Sequence, residues 1–469
     1  MPKPLSSPWL LQFQPTVLEV RLLARTAGDV DGELFWLAES PDRDLGSVEA
    51  EISVTADEIS LGRLGSDVVL LRFPIVDYEG TGGRYRIRLG DRFTSWLHIP
   101  CHPLPGQPWR FLLASDHHCR PAALGTLRAV SRFMSQKPCH GILFSGDMVG
   151  IPDDLTSWVG ANDGASFLES MAAPVDRIFH PSEQLTEQTA RAGWPLLSTA
   201  PILACPGNHE VSSDSGDSPQ KRFYRITPID WNLETFSKLF MPVETETGAT
   251  TAPPGCFVTT MGPLRVLSTF VARRWVPGDH DTQSGPCYQP PGRFIFESIA
   301  PDSRQVTWIR RQIADSADQA NGERGRSLHI ALLHHSPYAQ GFNARPSFDD
   351  PPAYRTNQIV RSLVPLLEPW ADLVLSGHNH AVNHHHIGGV HYFESSHMSI
   401  GKPPRMRLPD GTPAPEPLGH PSEFFAAEEG GTFFSVLEVV ETDVGFSGGV
   451  TCYRVQAGGW AEEEYAFEL

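Results

Sequence analysis

Cysteine is scarce in this chain and follows no pairing pattern. The 469 residues include seven cysteines, at positions 101, 119, 139, 205, 256, 287 and 452, and none of them forms a CxxC pair. An odd number leaves one thiol over if the others are bridged. Together with the length, this excludes a small module held together by disulfides or structural zinc, and we expect reduced, mostly buried thiols.

Long apolar runs are also missing. Nowhere do about 18 uncharged apolar residues follow one another, so the sequence predicts no transmembrane helix. The segment MPKPLSSPWLLQFQPTVLEV lacks the apolar run of about 7 to 15 residues and the small-residue cleavage site of a secretion signal. We therefore expect a cytoplasmic protein with no membrane partner.

Positive charge is in deficit. The chain has 37 Lys and Arg against 55 Asp and Glu, a net charge of −18 with neutral His. A surface of this sign repels nucleic-acid backbones at long range, so we expect no nucleic-acid partner. Because metal ions can reverse the sign inside one pocket, the net charge does not exclude a small phosphate-bearing substrate.

The apolar content is ample for a folded core. Apolar residues make up 40% of the chain, with 25 Phe and 11 Trp. Between about residues 15 and 100, short runs such as TVLEVRLLA, GGRYRIRLG and FTSWLHI predict antiparallel strands. The proline-rich segment CHPLPGQPW then predicts a linker. We predict a β-sandwich-like domain over residues 1–105 and a second domain over residues 106–469.

The second domain is predicted to alternate buried strands with amphipathic helices, which indicates a layered α/β core. The predicted strands are 109–115, 141–146, 201–207, 264–270, 328–334 and 371–377, and the predicted helices are 121–136, 303–319 and 355–368. Two polar segments, 151–200 and 211–255, are predicted insertions of a length typical of functional lids.

Metal-ligating residue types follow five of these strands, in the blocks SDHHC, SGDMVG, PGNHE, LLHHSPY and SGHNH. The residues are Asp116, His118, Asp147, Asn208, His209, His334, His335, His378 and His380. Because ligands bind at the carboxyl ends of strands in an open α/β sheet, distant blocks can converge. Mixed imidazole and carboxylate ligands suit Mn, Fe, Zn or Co. Two such ions, about 3.5 to 4 Å apart, clamp the attacking and leaving oxygens in phosphate-ester hydrolysis.

In their order, the five blocks resemble the motif of the calcineurin-like metallophosphoesterases, which runs DxH, GD, GNH(E/D), H, GHxH. The resemblance implies a four-layered α/β/β/α sandwich, here with an N-terminal antiparallel β domain, and two divalent or trivalent metal ions (Mn, Fe or Zn). It implies one ion held by Asp116, His118, Asp147 and His380, and another held by Asp147, Asn208, His335 and His378. Asp147 would bridge them, and a metal-bound hydroxide would attack phosphorus in line. His209 would protonate or stabilise the leaving group.

One branch of the family, the purple acid phosphatases, is similar to this chain in its N-terminal β domain and GNHE block. That branch uses a tyrosine ligand three residues after the GD aspartate and lacks the DxH histidine. Here position 150 is Gly and His118 is present. We therefore expect no tyrosinate–iron site, and the metals resemble those of the cyclic-nucleotide and glycerophosphodiester phosphodiesterases.

Several residues keep two interpretations at this point. Either histidine of LLHHSPY could be the ligand; the His-x-Pro spacing common in the family favours His335, with His334 packed behind it. His384, Arg120 and His334 are candidates for substrate contacts, although a solvated histidine run and a surface arginine explain the first two as well. Glu210 is expected to lie beside the metal ligands and support them.

The sequence thus predicts a dinuclear metal hydrolase acting on a small-molecule phosphate ester. A diester fits the DxH block, and a monoester fits the two-domain layout with GNHE. One alternative is a metal-binding scaffold of the same fold without turnover. Another is a nucleotide-processing nuclease, which should show a basic groove or a partner-binding coiled coil, and neither is visible. The sequence specifies neither the native metals nor the oligomeric state.

Overall fold

The computed structural model describes most of the chain. The described residues are 2–26, 28, 30–38, 52–78, 80, 82–173, 175–180, 195–211, 233–242, 252–277, 292–319, 327–338, 358–395, 397–399, 422–426, 431–442, 445–456 and 458–469. Six of the seven cysteines fall in these ranges and all six are free thiols, of which four are buried, as the sequence predicts. Cys287 lies outside the described residues.

Strands dominate the architecture. They are Lys3–Pro4 (β1), Trp9–Gln14 (β2), Val17–Arg25 (β3), Gly32–Ala38 (β4), Ile52–Thr55 (β5), Asp57–Ser60 (β6), Val68–Val76 (β7), Gly83–Leu89 (β8), Arg92–Thr94 (β9), Leu97–Ile99 (β10), Trp109–Ala114 (β11), Gly141–Phe144 (β12), Phe179–His180 (β13), Ile202–Ala204 (β14), Phe257–Met261 (β15), Leu264–Ser268 (β16), Arg273–Pro277 (β17), Gly292–Phe296 (β18), Leu328–His335 (β19), Leu373–Gly377 (β20), Val382–Ile387 (β21), Val390–Glu394 (β22), Phe424–Ala426 (β23), Phe433–Thr442 (β24), Gly445–Gln456 (β25) and Trp460–Glu468 (β26).

The helices are fewer and mostly short. They are Pro121–Met134 (α1), Leu155–Trp158 (α2), Phe167–Met171 (α3), Val175–Ile178 (α4), Leu196–Thr199 (α5), Glu234–Phe240 (α6), Arg304–Gln319 (α7), Gln358–Ser362 (α8) and Val364–Leu367 (α9). Within the described ranges, no helix combines the length and apolarity that crossing a membrane requires.

Strands β1 to β10, together with β13, form two antiparallel sheets. One has the order β1-β3-β7-β6 with β2 on β3, and the other has the order β13-β9-β8-β4-β5 with β10 on β8. In β8 the buried residues alternate with the half-buried arginines, the period of two expected for a strand with one covered face. The run FTSWLHI, predicted as one strand, is two strands, β9 and β10. Thr94, the last residue of β9, accepts a hydrogen bond from the Ile87 N–H through Oγ1 at 2.9 Å, so a side chain takes the place of a backbone acceptor where this strand ends.

Two further sheets carry the predicted α/β part. One has the order β14-β12-β11-β24-β25-β26 and the other the order β15-β16-β19-β20-β22-β21-β23. Leu112 and Leu143 of the first sheet share one hydrophobic cluster with Ile330 and Leu375 of the second. The two sheets therefore pack on each other. Strands such as β19 are buried along their whole length, which explains their continuous apolar sequence.

The two longer helices, α1 and α7, lie within the ranges that the sequence predicts, 121–136 and 303–319. Leu127 and Val130 of helix α1 belong to the same hydrophobic cluster as the residues packed between the two sheets. Val306 and Ile309 of helix α7 belong to a second cluster, on the opposite face of β19. The predicted helix 355–368 is interrupted in its described part, as α8 and α9. Pro365, in the first turn of α9, has no N–H to continue α8, so the break has a covalent cause.

Packing crosses the predicted domain boundary near residue 105. Trp9 and Leu64 belong to the same hydrophobic cluster as Phe144 and Phe240. Strand β13, from the predicted insertion 151–200, pairs antiparallel with β9. The division at residue 105 stays a prediction, and the insertion is bonded to the N-terminal sheets.

Candidate metal centre

The five motif blocks meet at one place between the two α/β sheets. Each block lies at the carboxyl end of its strand: β11, β12 and β14 in one sheet, and β19 and β20 in the other. Two hydrogen bonds join the loops across the sheets. The His378 N–H donates to Asp116 Oδ2 at 3.0 Å, and His334 Nδ1 donates to the Ser145 carbonyl at 2.7 Å. The convergence predicted from strand ends is therefore realised by two sheets rather than one.

Two glycines let these loops approach closely. A Cβ at Gly207 would lie 2.2 Å from Asp147 Oδ1, and one at Gly377 would lie 2.6 Å from Asp116 Oδ2. No side chain fits at such distances, so the glycine that precedes Asn208 and the one that precedes His378 are required by packing against the carboxylates.

The backbone of the site is strained. Of the seven described non-glycine residues with positive φ, five are predicted metal ligands: Asp116, His118, Asp147, His378 and His380, with φ between 52° and 78°. Left-handed backbone is costly for residues with a Cβ and persists where the surroundings enforce it, most often at functional sites. The loops thus hold these side chains in orientations that ordinary turns would not give.

Asp116, His118 and His380 form the first cluster. Asp116 Oδ1 lies 3.5 Å from Nε2 of each histidine, and the two Nε2 atoms are 3.0 Å apart. Asp116 is fully buried, and its Oδ1 has no hydrogen-bond partner among the described residues. Burial opposes the charge of Asp116, but His380 and His118 outweigh burial and hold the pKa of this carboxyl below its ordinary value. A buried carboxylate oxygen facing two imidazole nitrogens fits a cation.

Asp147 lies at the centre of the site. Its Oδ1 accepts from the His209 N–H at 2.9 Å, while Oδ2 is 3.3 Å from His334 Nε2 and 3.6 Å from His118 Nε2. It shares one potential metal-binding group with Asp116 and His334, and another with His118 and His209. Asp116, His118 and His334 also belong to two groups each, so the groups overlap in one continuous cluster around the two carboxylates.

Both histidines of LLHHSPY reach the site. His334 Nε2 and His378 Nδ1 lie 3.2 Å and 3.0 Å from Asn208 Oδ1. The ring of His335 stacks on that of His378 with 3.8 Å between centroids, and its Nδ1 contacts the Val271 carbonyl. His334, His335 and His378 together form a further potential metal-binding group. His334 therefore faces Asp147 and Asn208 directly rather than packing behind His335.

The donor set as a whole fits metal ions. The potential ligand atoms in each of the four groups lie within 4.8 Å of one another, and each group is at least partly buried. Neutral imidazole nitrogens and carboxylate oxygens in one site suit Mn, Fe or Zn. The residues present could thus hold the metal ions that the sequence implies.

His209 differs from its neighbours in exposure. Its side chain is 34% exposed, and its Nε2 lies 4.0 Å from Asp147 Oδ2. Because a carbonyl only accepts, the 3.1 Å contact from Nδ1 to the Gly150 carbonyl makes Nδ1 the donor. Nε2 is then the nitrogen left to exchange a proton at the mouth of the site.

The Glu210 side chain forms hydrogen bonds with two of the loops, the one after β12 and the one after β14. Its Oε2 accepts from the N–H groups of Asp147 and Gly207 at 2.8 and 2.7 Å, and its Oε1 accepts from those of Met148 and Val149 at 2.8 and 3.2 Å. Burial, and next the charge of Asp147, raise the pKa of Glu210 to about 7. The support expected of Glu210 is therefore provided by hydrogen bonds to the backbone of Asp147 and its neighbours.

Two residues predicted to contact substrate, His384 and Arg120, are not among the residues that form the potential metal-binding groups. His384 Nδ1 contacts the Tyr465 hydroxyl at 2.9 Å, and its Nε2 contacts His391 Nδ1 at 3.0 Å, within an aromatic cluster on β21, β22 and β26. These bonds place His384 outside the metal cluster. Arg120 is half-buried at the residue before α1, and its substrate role stays a prediction.

Sequence reasoning missed one supporting pair. Asn379, between the two histidines of SGHNH, donates from Nδ2 to Glu394 Oε1, and Glu394 is buried at the end of β22. Burial raises the pKa of Glu394 to about 8. A glutamate closing the apolar strand VHYFE was the available sequence signal, since such residues rarely lie in a core without a partner.

Comparison with known proteins adds one match. The sequence model of the calcineurin-like phosphoesterases matches residues 110–382, more than half of the chain, and that range contains all five motif blocks. No curated protein matches the chain.

Proposed function

The chain belongs to the calcineurin-like phosphoesterase family, and on that basis we propose that it hydrolyses small-molecule phosphate esters with two bound metal ions. The observation that carries the proposal is the position of Asp147. One carboxylate lies between the Asp116–His118–His380 cluster and the side chains of Asn208 and His334. This is the arrangement that a bridged pair of ions needs.

The ligands we propose follow the two sides of Asp147. One ion would be held by Asp116, His118, Asp147 and His380, and the other by Asp147, Asn208, His378 and a histidine of LLHHSPY. Mn, Fe and Zn are the metals whose preferences match this set. Such ions would lower the pKa of a water toward neutrality and neutralise charge on the phosphoryl oxygens.

The chain's own residues supply the remaining steps. With Nδ1 donating to the Gly150 carbonyl, His209 would give a proton to the leaving oxygen from Nε2 as an imidazolium, in which both ring nitrogens are protonated, and would be left as the neutral Nδ1–H ring. Its exposed position leaves room for a leaving group. The ligand loops, with their left-handed residues, need little rearrangement, because their hydrogen bonds already fix them.

A small substrate and a four-layered sandwich complete the proposal. The net charge of −18 disfavours a nucleic-acid polymer, whereas a compact ester needs only the local field of the site. The layers would be α1, the two packed sheets and α7, preceded by an N-terminal β domain over residues 1–105.

The test is a paired assay on p-nitrophenyl phosphate and bis-p-nitrophenyl phosphate with metal content measured on the same sample. The Mn-loaded protein is expected to hydrolyse at least one ester, and chelation is expected to abolish this. Preference for the diester would identify a phosphodiesterase, and preference for the monoester a phosphatase. Two bound metals with neither ester hydrolysed would contradict hydrolysis of simple phosphate esters and favour the scaffold.

His209→Ala tests the proton donor. We expect kcat to fall by about 10²- to 10⁴-fold, the usual contribution of a general acid, while metal content is unchanged. His98→Ala, an exposed histidine on β10, is the matched control and should leave kcat unaltered. Unchanged turnover in the His209 variant would exclude this role.

A further inference from the structure

A turn between β6 and β7 joins the N-terminal sheets to the α/β part. We call residues 60–64 the docking turn. Leu61 and Leu64 are 3% and 8% exposed and share a hydrophobic cluster with Trp158 and Phe240. The Ser60 carbonyl accepts from Lys238 Nζ of α6 at 3.2 Å. The docking turn is thus packed against both predicted insertions.

Arg63 forms the polar part of this contact. Its Nη1 lies 3.1 Å from Asp153 Oδ2 and its Nε lies 2.9 Å from Glu234 Oε2, with the Arg63 side chain only 15% exposed. Thr235, 2% exposed, donates from Oγ1 to Asp153 Oδ1 at 2.6 Å. Both oxygens of Asp153 are therefore held, one from the N-terminal sheets and one from α6.

Asp153 belongs to the loop that orients His209. Gly150, at the start of this loop, accepts the hydrogen bond from His209 Nδ1. Pro152, in its middle, accepts through its carbonyl from Trp158 Nε1 at 2.7 Å. Only two residues separate Gly150 from Asp153, so the Asp153 side chain and the Pro152 carbonyl are two anchors of the short segment that carries the Gly150 carbonyl.

We propose that the docking turn, through Arg63 and Asp153, positions His209 at the metal centre. Arg63 is a positioning residue, since it reaches the site only through the loop 150–153. This gives the N-terminal sheets a role in the reaction rather than in stability alone. The inference rests on the proposed function, because the role of His209 as the leaving-group acid comes from there.

The test compares Arg63→Met with Arg88→Met. Arg88 pairs with Asp31 and Glu33 on the N-terminal sheets at 2.8 and 3.0 Å, away from the docking turn. Two esters are used, one with p-nitrophenol and one with phenol as leaving group. A poorer leaving group depends more on a general acid, so Arg63→Met is expected to slow the phenyl ester about tenfold more than the nitrophenyl ester. Arg88→Met should slow neither, and metal content should be equal in all proteins.

A second measurement does not depend on turnover. In the Zn-loaded protein, the NMR signal of the His209 ring, identified by its loss in His209→Ala, is expected to shift in Arg63→Met and in Asp153→Asn but not in Arg88→Met. Arg63→Lys keeps the positive charge but can contact only one of the two carboxylates, Asp153 or Glu234, at a time. It should give a smaller shift of the His209 signal than Arg63→Met, and it provides a second variant if Arg63→Met does not fold.

The outcomes separate the two proposals. An unshifted His209 signal, or equal slowing of both esters, would overturn the positioning role. If the wild-type protein hydrolyses neither the monoesters nor the diesters of these leaving groups, the proposed function fails, and the His209 signal still decides whether the docking turn holds the imidazole.

Discussion

Asp147→Asn is expected to abolish turnover and to lower metal content. The substitution removes the negative charge at the centre of the site, where Oδ2 lies within 3.6 Å of His334 Nε2 and His118 Nε2. The amide oxygen would stay on the His209 N–H, so the NH₂ group would face the histidines, and an NH₂ group cannot ligate. Losing several kcal/mol of charge stabilisation corresponds to a fall of about 10³-fold or more in kcat.

The measurement is kcat together with metal content by mass spectrometry on the same sample. Asp163→Asn is the matched control: an exposed aspartate whose Oδ1 accepts only a local hydrogen bond from the Ala165 N–H among the contacts described. It should behave as wild type. An Asp147→Asn protein that binds both ions and turns over within about tenfold of wild type would refute the bridging assignment.

The ligand types were predictable because few side chains bind metals and because each block follows a buried strand. Strands β11, β12 and β19 read as short apolar runs, since most of their residues are buried on both faces. The family resemblance implies two sheets, but the order of strands within each sheet was not readable from the residues, because pairing such as Trp109 with Val439 joins residues more than three hundred positions apart. No local pattern encodes that register.

The supporting contacts were the least predictable part of the site. A left-handed φ at His118 or His378 is uncommon even for histidine, which adopts it more often than most residues, and no local sequence pattern predicts it. Arg63 lies in no motif block, and its contact with Asp153 joins residues 90 positions apart, which no local pattern predicts. His384 is close to the motif in sequence but pairs with Tyr465 outside the metal cluster, and its role in substrate binding stays a prediction.

Glu210→Gln is expected to destabilise both the fold and the metal centre. Each carboxylate oxygen of Glu210 accepts from two backbone N–H groups, and the side chain is fully buried. Glutamine offers one oxygen, so whichever way the amide turns, its NH₂ group faces two N–H donors. Each buried donor left unpaired costs about 1–3 kcal/mol, and the pair therefore costs about 2–6 kcal/mol. A typical domain has only about 5–15 kcal/mol of stability to lose.

Metal affinity should fall as well, because two of the N–H groups that lose their acceptor belong to residues that shape the site. Asp147 is one, and Gly207, whose Cα packs against the Asp147 carboxylate, is the other. Groups that orient ligands typically contribute about 10- to 100-fold to metal affinity. The expected result is a lower thermal midpoint together with weaker metal binding in a competition titration.

Glu438→Gln provides the comparison for this variant. Glu438 also loses a short ion pair, with Arg110 at 2.6 Å, but its side chain is 42% exposed and water can replace the partner. It should leave metal affinity unchanged. If Glu210→Gln matched Glu438→Gln in both measurements, the four N–H bonds would have no part in holding Asp147 in place. The bridging carboxylate would then owe its orientation to its own left-handed backbone and to His209 alone.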